Sequence, residues 1–412
     1  MRKVAYVTDI EGRWDKLEDF CAGSSLVSLD AAHGLRVADG ALFVFGGDAI
    51  DRGPSGRKLV ATLLAAKRAQ PDSVVLLAGN RDINKLRLVR ELSGHPPARA
   101  PSAVSSGARG DLLRFILSQT MGAPEAFEHR RTELLLALPA AGDQDVVDSY
   151  LEDLGPSGAL RQYLAAAVLA HREDETLFLH GGVTDENLGV VPGRAQREVG
   201  VDAWVRGLNE FYATSMEAFG AGRCAPDGTP LWLDLIAYQA PRRGSHLNQA
   251  SVVYARPTDD VGNPMVPHEH VISALAASDV RRVVVGHTPS GDCPALLHDA
   301  AGFELVLADN SYGRLERGSR VTIVENVVRL EGRTVLDSGE EESVAFEHLP
   351  AHARTLGLRD SATGRLVKAR LERGDYLTYR AFPGHRVEQL AVTEAELSQA
   401  SLVVARPSRV TA

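Results

Sequence analysis

The sequence predicts an α/β protein built on a buried, largely parallel or mixed sheet, and three observations carry that prediction. Short runs rich in Val, Leu and Phe recur along the chain. Stretches with helical spacing separate them. The runs then stop on polar residues: 4–8 leads into Asp9, 42–45 into Gly47-Asp48, 74–78 into Gly79-Asn80, 177–179 into His180, and 283–285 into Gly286-His287. In sheets of this kind the carboxyl ends of the strands open onto the functional crevice, so a carboxylate, amide or imidazole delivered there faces a cleft.

Asp9, Asp48, Asn80, His180 and His287 together supply oxygen and nitrogen donors for two divalent ions. The set contains no thiolate, which disfavours copper(I) and iron–sulfur chemistry and favours manganese, iron, zinc or magnesium. Two such ions roughly 3.5–4 Å apart can clamp a phosphoryl group and lower the pKa of a bound water. Holding them that close takes a bridging carboxylate, for which Asp48 is the candidate. Arg52 lies four residues further on, where its planar fork of donors suits phosphate oxygens.

In order along the chain stand Asp9-Ile10-Glu11-Gly12, Gly47-Asp48-Ala49-Ile50-Asp51-Arg52-Gly53, Gly79-Asn80-Arg81-Asp82, His180-Gly181-Gly182 and Gly286-His287-Thr288-Pro289. On these elements, over about residues 3–312, the chain resembles the calcineurin-like metallophosphoesterase superfamily, and in wording its phosphoprotein-phosphatase branch. The resemblance implies a four-layered α/β/β/α sandwich. It also implies that Asp9 and Asp48 hold a first metal, and that Asp48, Asn80, His180 and His287 hold a second. Arg52 would bind the substrate phosphate with Asn80. A second phosphate-binding arginine is expected between the two histidines, where Arg243 is the best match and its neighbour Arg242 is equally able. The implied activity is hydrolysis of a phosphate monoester, of a phosphoprotein or a phosphorylated metabolite, by a metal-activated hydroxide. A dinucleoside polyphosphate or nucleotide hydrolase is the alternative, and a non-catalytic metal- or phosphate-binding module is the rival from outside the enzymes.

Two positions depart from the family pattern. Its Asp-x-His is Asp9-x-Glu11 here, so either Glu11 ligates in place of the imidazole or the first site is looser. A harder donor set tilts the preference towards Mn²⁺ or Mg²⁺, with Mn²⁺ favoured. Its Gly-Asn-His is Gly79-Asn80-Arg81, which removes the histidine that would protonate the leaving group. Arginine keeps its proton but can still stabilise charge on a leaving oxygen. Asp51, freed from orienting a histidine, is expected to pair with Arg81.

The rest of the chain organises around this site. At 412 residues and 44% hydrophobic content it can bury a large core and carry more than one part. The site motifs fall in a domain of residues 1–345. Breaker-rich sequence at 93–102 opens an insertion of about residues 93–172 with helical periodicity at 111–117, 128–138 and 159–169, read as a cap over the cleft. A further helix is expected over about 201–219. The acidic run Glu340-Glu341-Glu342 reads as a turn or linker. Residues 346–412 then form an extension of unknown role, with a hairpin around Arg373-Gly374-Asp375 and a short helix at 393–397. Asp309-Asn310-Ser311-Tyr312-Gly313 follows another apolar run, so Asn310 or Tyr312 is placed beside the cleft. His246 could supply the missing acid. His268 and His270 have ligand-like spacing without a motif around them.

A formal net charge of −9 argues against nucleic acid and anionic membrane as partners; a phosphorylated substrate is the partner that the resemblance implies. Three scattered cysteines, the start of the first strand directly after Met1-Arg2, and the lack of an apolar run of about 18–20 residues predict a cytoplasmic protein.

Overall fold

The computed structural model describes residues 2–315, 317–348, 355–384 and 386–407, so parts of the 346–412 extension lie outside the described residues. Two sheets form its centre. In the first, Lys3–Val7 runs parallel to Ala41–Phe45, which runs parallel to Val74–Leu76. On the other side of Lys3–Val7 the antiparallel strands Arg320–Val324, Val327–Val335 and Glu341–His348 complete six. In the second, Thr176–Leu179, Arg282–Val285 and Glu304–Leu307 are parallel neighbours, flanked by the antiparallel edge strands Ala170–Glu173 and Ala295–His298.

Successive side chains of a strand point to opposite faces, and that alternation sorts the core into layers. Val4, Tyr6, Leu42 and Val44 face Phe178, Val284, Leu296 and Val306 of the other sheet in one cluster. Tyr6 stacks on Phe178 with ring centroids 5.8 Å apart. Ala5, Val7, Phe43 and Phe45 point the other way, into a cluster shared with the helices Trp14–Ala22 and Gly56–Ala69. Leu177, Leu179, Val283 and Val285 likewise face outward, in the same cluster as the buried sides of Val201–Ala221 and Glu269–Ala276. The order of layers is helix, sheet, sheet, helix, as expected.

The insertion is helical, with Arg109–Phe115, a π-turn at Ile116–Thr120, Ala126–Leu135, Asp143–Leu154 and Ala159–Ala166. Helix Asp143–Leu154 was not among the expected ones. Conversely, the helix expected to run to 169 stops at Ala166, because Val168 pairs its backbone with Leu76 and Ala78.

The acidic run is not a linker. Glu341 and Glu342 open an eight-residue strand paired throughout with Val327–Val335, their carboxylates meeting Arg333 and Arg373. That strand also runs across position 345. Beyond it, Arg386–Val392, Tyr376–Phe382, Leu366–Arg370, Leu358–Asp360 and Leu402–Val404 form a separate five-stranded antiparallel sheet. The hairpin joins Arg370 to Tyr376, and the short helix Glu394–Leu397 is capped by Thr393. Among the described residues no helix is long and apolar enough to cross a membrane. Cys21, Cys224 and Cys293 are all free.

Candidate metal centre

Asp9, Glu11, Asp48, Asn80, Arg81 and His287 converge on one cleft of about 330 Å³ at the carboxyl ends of the parallel strands. His180 lies behind them, fully buried against Asp48. Strand direction explains this convergence, since both sheets send their parallel strands towards the same edge.

The local backbone is unusual where the donors sit. Asp9 (φ 52°), Glu11 (φ 51°), Asp48 (φ 55°) and His287 (φ 56°) all adopt left-handed conformations, and Asp51 has φ 116°. Such residues cost on the order of 1 kcal/mol or more each and collect where a site requires them. Glycines make room for this packing. A Cβ on Gly79 would stand 2.1 Å from Asp48 Oδ1, and one on Gly286 2.5 Å from Asp9 Oδ2.

Asp48 is held from behind by Asp82, which was quoted in a motif but given no role by sequence reasoning. The Asp82 carboxylate accepts from the amides of Asp48 and Ala49, both at 2.9 Å. Burial and the nearby Asp48 charge push its pKa up to about 7. Asp9 Oδ2 accepts from Thr8 Oγ1 at 2.6 Å and from the His287 amide at 3.2 Å, which joins the first sheet's site edge to the second's.

The donor chemistry fits a cation. His180 Nδ1 lies 2.8 Å from the Gly46 carbonyl, to which it donates, so Nε2 carries the lone pair. That nitrogen faces Asn80 Oδ1 at 3.0 Å and Asp48 Oδ1 at 3.3 Å. Three acceptors thus converge on one point, an arrangement that a proton on His180 or a metal ion satisfies. Despite burial, the carboxylates of Asp48 and Asp9 push the His180 pKa up to about 10. This centre attracts positive charge. His287, by contrast, is held well below the usual imidazole range by burial and by Arg256, and stays neutral. Ligating atoms of Asp48, His180 and His287 lie within 4.8 Å of one another, and so do those of Asp9, Glu11 and Asp48. Asp48 belongs to both groups.

It is a candidate metal centre with a shared carboxylate.

Burial, with Asp309 and Asp48 adding repulsion, raises the Asp9 pKa well above the usual carboxylate range; burial also raises that of Glu11, but against the charges of Arg81 and Arg52, which favour its ionised form. Around these acids stand three guanidiniums. Arg81 Nε is 2.7 Å from Glu11 Oε1 and 3.6 Å from Asp48 Oδ2, and its Nη2 donates to the Tyr312 hydroxyl at 3.0 Å. Arg52 Nε lies 3.3 Å from Glu11 Oε2, with the guanidinium 4.0 Å from the Tyr312 ring centroid. Arg256 lines the cleft and donates from Nε to His287 Nε2 at 3.4 Å.

These positions place the remaining expected residues. Arg243 is exposed and does not line the cleft: Ala240 and Pro241 do, and the segment 242–246 beyond them turns outward into solvent. Its neighbour Arg242 is also exposed and pairs with Glu186 at 2.6 Å. Arg256, which also lies between the two histidines in the sequence, does line the cleft. His246 is exposed on the same turn, away from the cleft. Asp51 pairs first with Lys85, at 2.6 Å with both side chains fully buried, and only at 3.7 Å with Arg81. Tyr312 lines the cleft with Asp309 and Ser311, while Asn310 donates to the carbonyls of Asp292 and Arg317. His268 and His270 share Asp185, outside the cleft. The insertion does reach the site, since Ser118 to Gly122, at and after the π-turn, form one wall.

No family model matches the chain, and no curated protein matches it. Among solved structures it is similar to a cold-active protein-tyrosine phosphatase of the psychrophile Shewanella sp., at 16% identity over 83% of this chain and 80% of that one, with a TM-score of 0.45. It is also similar to a protein serine/threonine phosphatase from Saccharomyces cerevisiae with similarity to human phosphatase PP5, at 13% identity over 84% and 80%, TM-score 0.38. A metallophosphoesterase from Sphaerobacter thermophilus is similar at 12% identity over 79% and 84%, TM-score 0.31.

Proposed function

We propose that the protein is a metal-dependent phosphoesterase acting on phosphate monoesters at this cleft. The observation that carries the reading is Asp48, shared between two buried donor groups in a cavity whose sides are set with arginines. Asp48, Asn80, His180 and His287 would hold one divalent cation, and Asp9, Glu11 and Asp48 would be the donors for a second. When bound, such cations supply Lewis acidity to water and to phosphoryl oxygens. Mn²⁺ is the favoured metal, since oxygen donors outnumber imidazoles.

The residues around the donors bind and orient. Arg256 and Arg52 present charged donors for non-bridging phosphate oxygens, and the Gly46 carbonyl fixes the orientation of His180. Arg81, with Tyr312 against its Nη2, offers charge but no transferable proton to a leaving oxygen. Good leaving groups are therefore hydrolysed fastest.

A substrate panel tests this reading. With Mn²⁺ present, aryl phosphates should turn over much faster than phosphoserine mimics, because general acid catalysis is typically worth about 10²–10⁴-fold. Equal chemical rates for aryl and alkyl esters would show that a proton donor is present. Turnover of dinucleoside polyphosphates alone would favour a nucleotide hydrolase, and turnover of nothing a binding module.

A further inference from the structure

We infer that Glu11 and Arg81 form a resident ion pair in the Asp9, Glu11, Asp48 half of the centre. In consequence the chain holds one divalent cation tightly, at Asp48, Asn80, His180 and His287, and a second one weakly and exchangeably. The inference rests on the metal-centre reading above and adds an order of affinity to it.

The geometry splits the shared carboxylate between two different partners. Asp48 Oδ1 faces His180 Nε2 at 3.3 Å and takes the Arg81 amide at 2.9 Å, whereas Asp48 Oδ2 faces the Arg81 guanidinium at 3.6 Å. Glu11 is engaged on both oxygens, Oε1 by Arg81 at 2.7 Å and Oε2 by Arg52 at 3.3 Å. The Asp9, Glu11, Asp48 group is thus already supplied with positive charge. At the His180 and His287 donors, by contrast, the neighbouring guanidinium is Arg256, which donates to the neutral His287 ring and not to a carboxylate.

Arginine sharpens this asymmetry. A lysine or histidine could make way for a metal ion by losing its proton, but a guanidinium keeps its charge at any working pH. A cation approaching Glu11 must displace Arg81 or bear its repulsion. The pairing also links the two departures from the family pattern. An acid at 11 without a base at 81, or the reverse, would leave a charge with 2% and 11% side-chain exposure poorly compensated, which is costly.

The test is Mn²⁺ binding to the full chain, by titration calorimetry and by metal content after dialysis. Wild type should retain one Mn²⁺ per chain and bind a second at least about tenfold more weakly. Arg81→Met should strengthen the second site at least about tenfold, since a like charge about 4 Å from a cation outweighs one factor of ten at a protein-like dielectric. Glu11→Gln should weaken the second site further and leave the first unchanged. Should Arg81→Met fail to fold, the double variant Glu11→Gln/Arg81→Met, in which neither charge is stranded, should keep the first site. Two equal sites in wild type, no gain at the second site in a folded Arg81→Met, or loss of the first site in Glu11→Gln would overturn the inference. Mn²⁺ bound nowhere in any of these chains would overturn it together with the metal-centre reading.

Discussion

At Asp48 the backbone and the chemistry restrict the side chain for different reasons. Its left-handed φ of 55° favours Asp or Asn among non-glycine residues, and its two oxygens serve two donor groups. Asp48→Asn keeps the backbone preference and one acceptor for the Arg81 amide, but removes the anion. We predict that Asp48→Asn melts within a few degrees of wild type yet loses metal and phosphatase turnover, checked by thermal denaturation and metal content. Arg256 gives a second prediction at this scale. Charged hydrogen bonds are worth about 1.5–3 kcal/mol, so Arg256→Ala should lower kcat/KM for an aryl phosphate on the order of tenfold to a hundredfold, while Arg243→Ala leaves it unchanged. Equal losses in steady-state kinetics would restore Arg243. Asp9, Asp48, Asn80, His180 and His287 were legible because each follows an apolar run that a parallel sheet directs to one edge. Arg256 was not, since it sits in irregular backbone where no period applies. Its position is set by Gln249, whose side-chain amide bonds both the Arg256 N–H and C=O at 3.1 Å.

Among the elements, the short helix Asn80–Asn84 ties the site to its surroundings. It presents Asn80 and Arg81 to the cleft, and just past its end Lys85 reaches back to Asp51 in the loop after Ala41–Phe45. Both partners are fully buried, so removing one strands the other. Lys85→Met should destabilise by about 3 kcal/mol, the low end for a broken buried pair because Arg81 Nη1 remains 3.7 Å from the same carboxylate. Adding Asp51→Asn should recover part of that loss in chemical denaturation, and no recovery would remove the pair from the account. Lys85 was unreadable in the sequence because the resemblance drew Asp51 towards Arg81. The strand Glu341–His348 was hidden for a related reason: acidic residues read as solvated, but here their partners Arg333 and Arg373 lie beside them. Helix Asp143–Leu154 opens with Asp143 and Asp145 and so began like a loop, although it buries Val146, Val147, Tyr150 and Leu154.

In the whole molecule, the last sheet supports the loop that follows His287 in the candidate metal centre. Lys368, fully buried, donates to the Ser290 carbonyl, and Gln389 Nε2 donates to Asp292 Oδ2 at 2.6 Å, both within the loop that follows His287. Ending the chain after residue 348 therefore removes these two partners of that loop while leaving every proposed donor in place. The truncated chain should melt lower and bind Mn²⁺ more weakly, and unchanged affinity would show that the extension has no part in shaping the site. The layered sandwich was readable from the apolar runs and the family-like motifs. This long-range support was not, because Lys368 and Gln389 meet a loop some 80 to 100 positions away and carry no local pattern. The most direct test of the central claim is to strip the protein of metal with a chelator, return Mn²⁺, Mg²⁺, Fe²⁺ or Zn²⁺ separately, and follow aryl phosphate hydrolysis with metal content on the same samples. The account predicts no hydrolysis by the stripped chain and recovery in step with bound metal, strongest with Mn²⁺; hydrolysis that survives complete metal removal would contradict it.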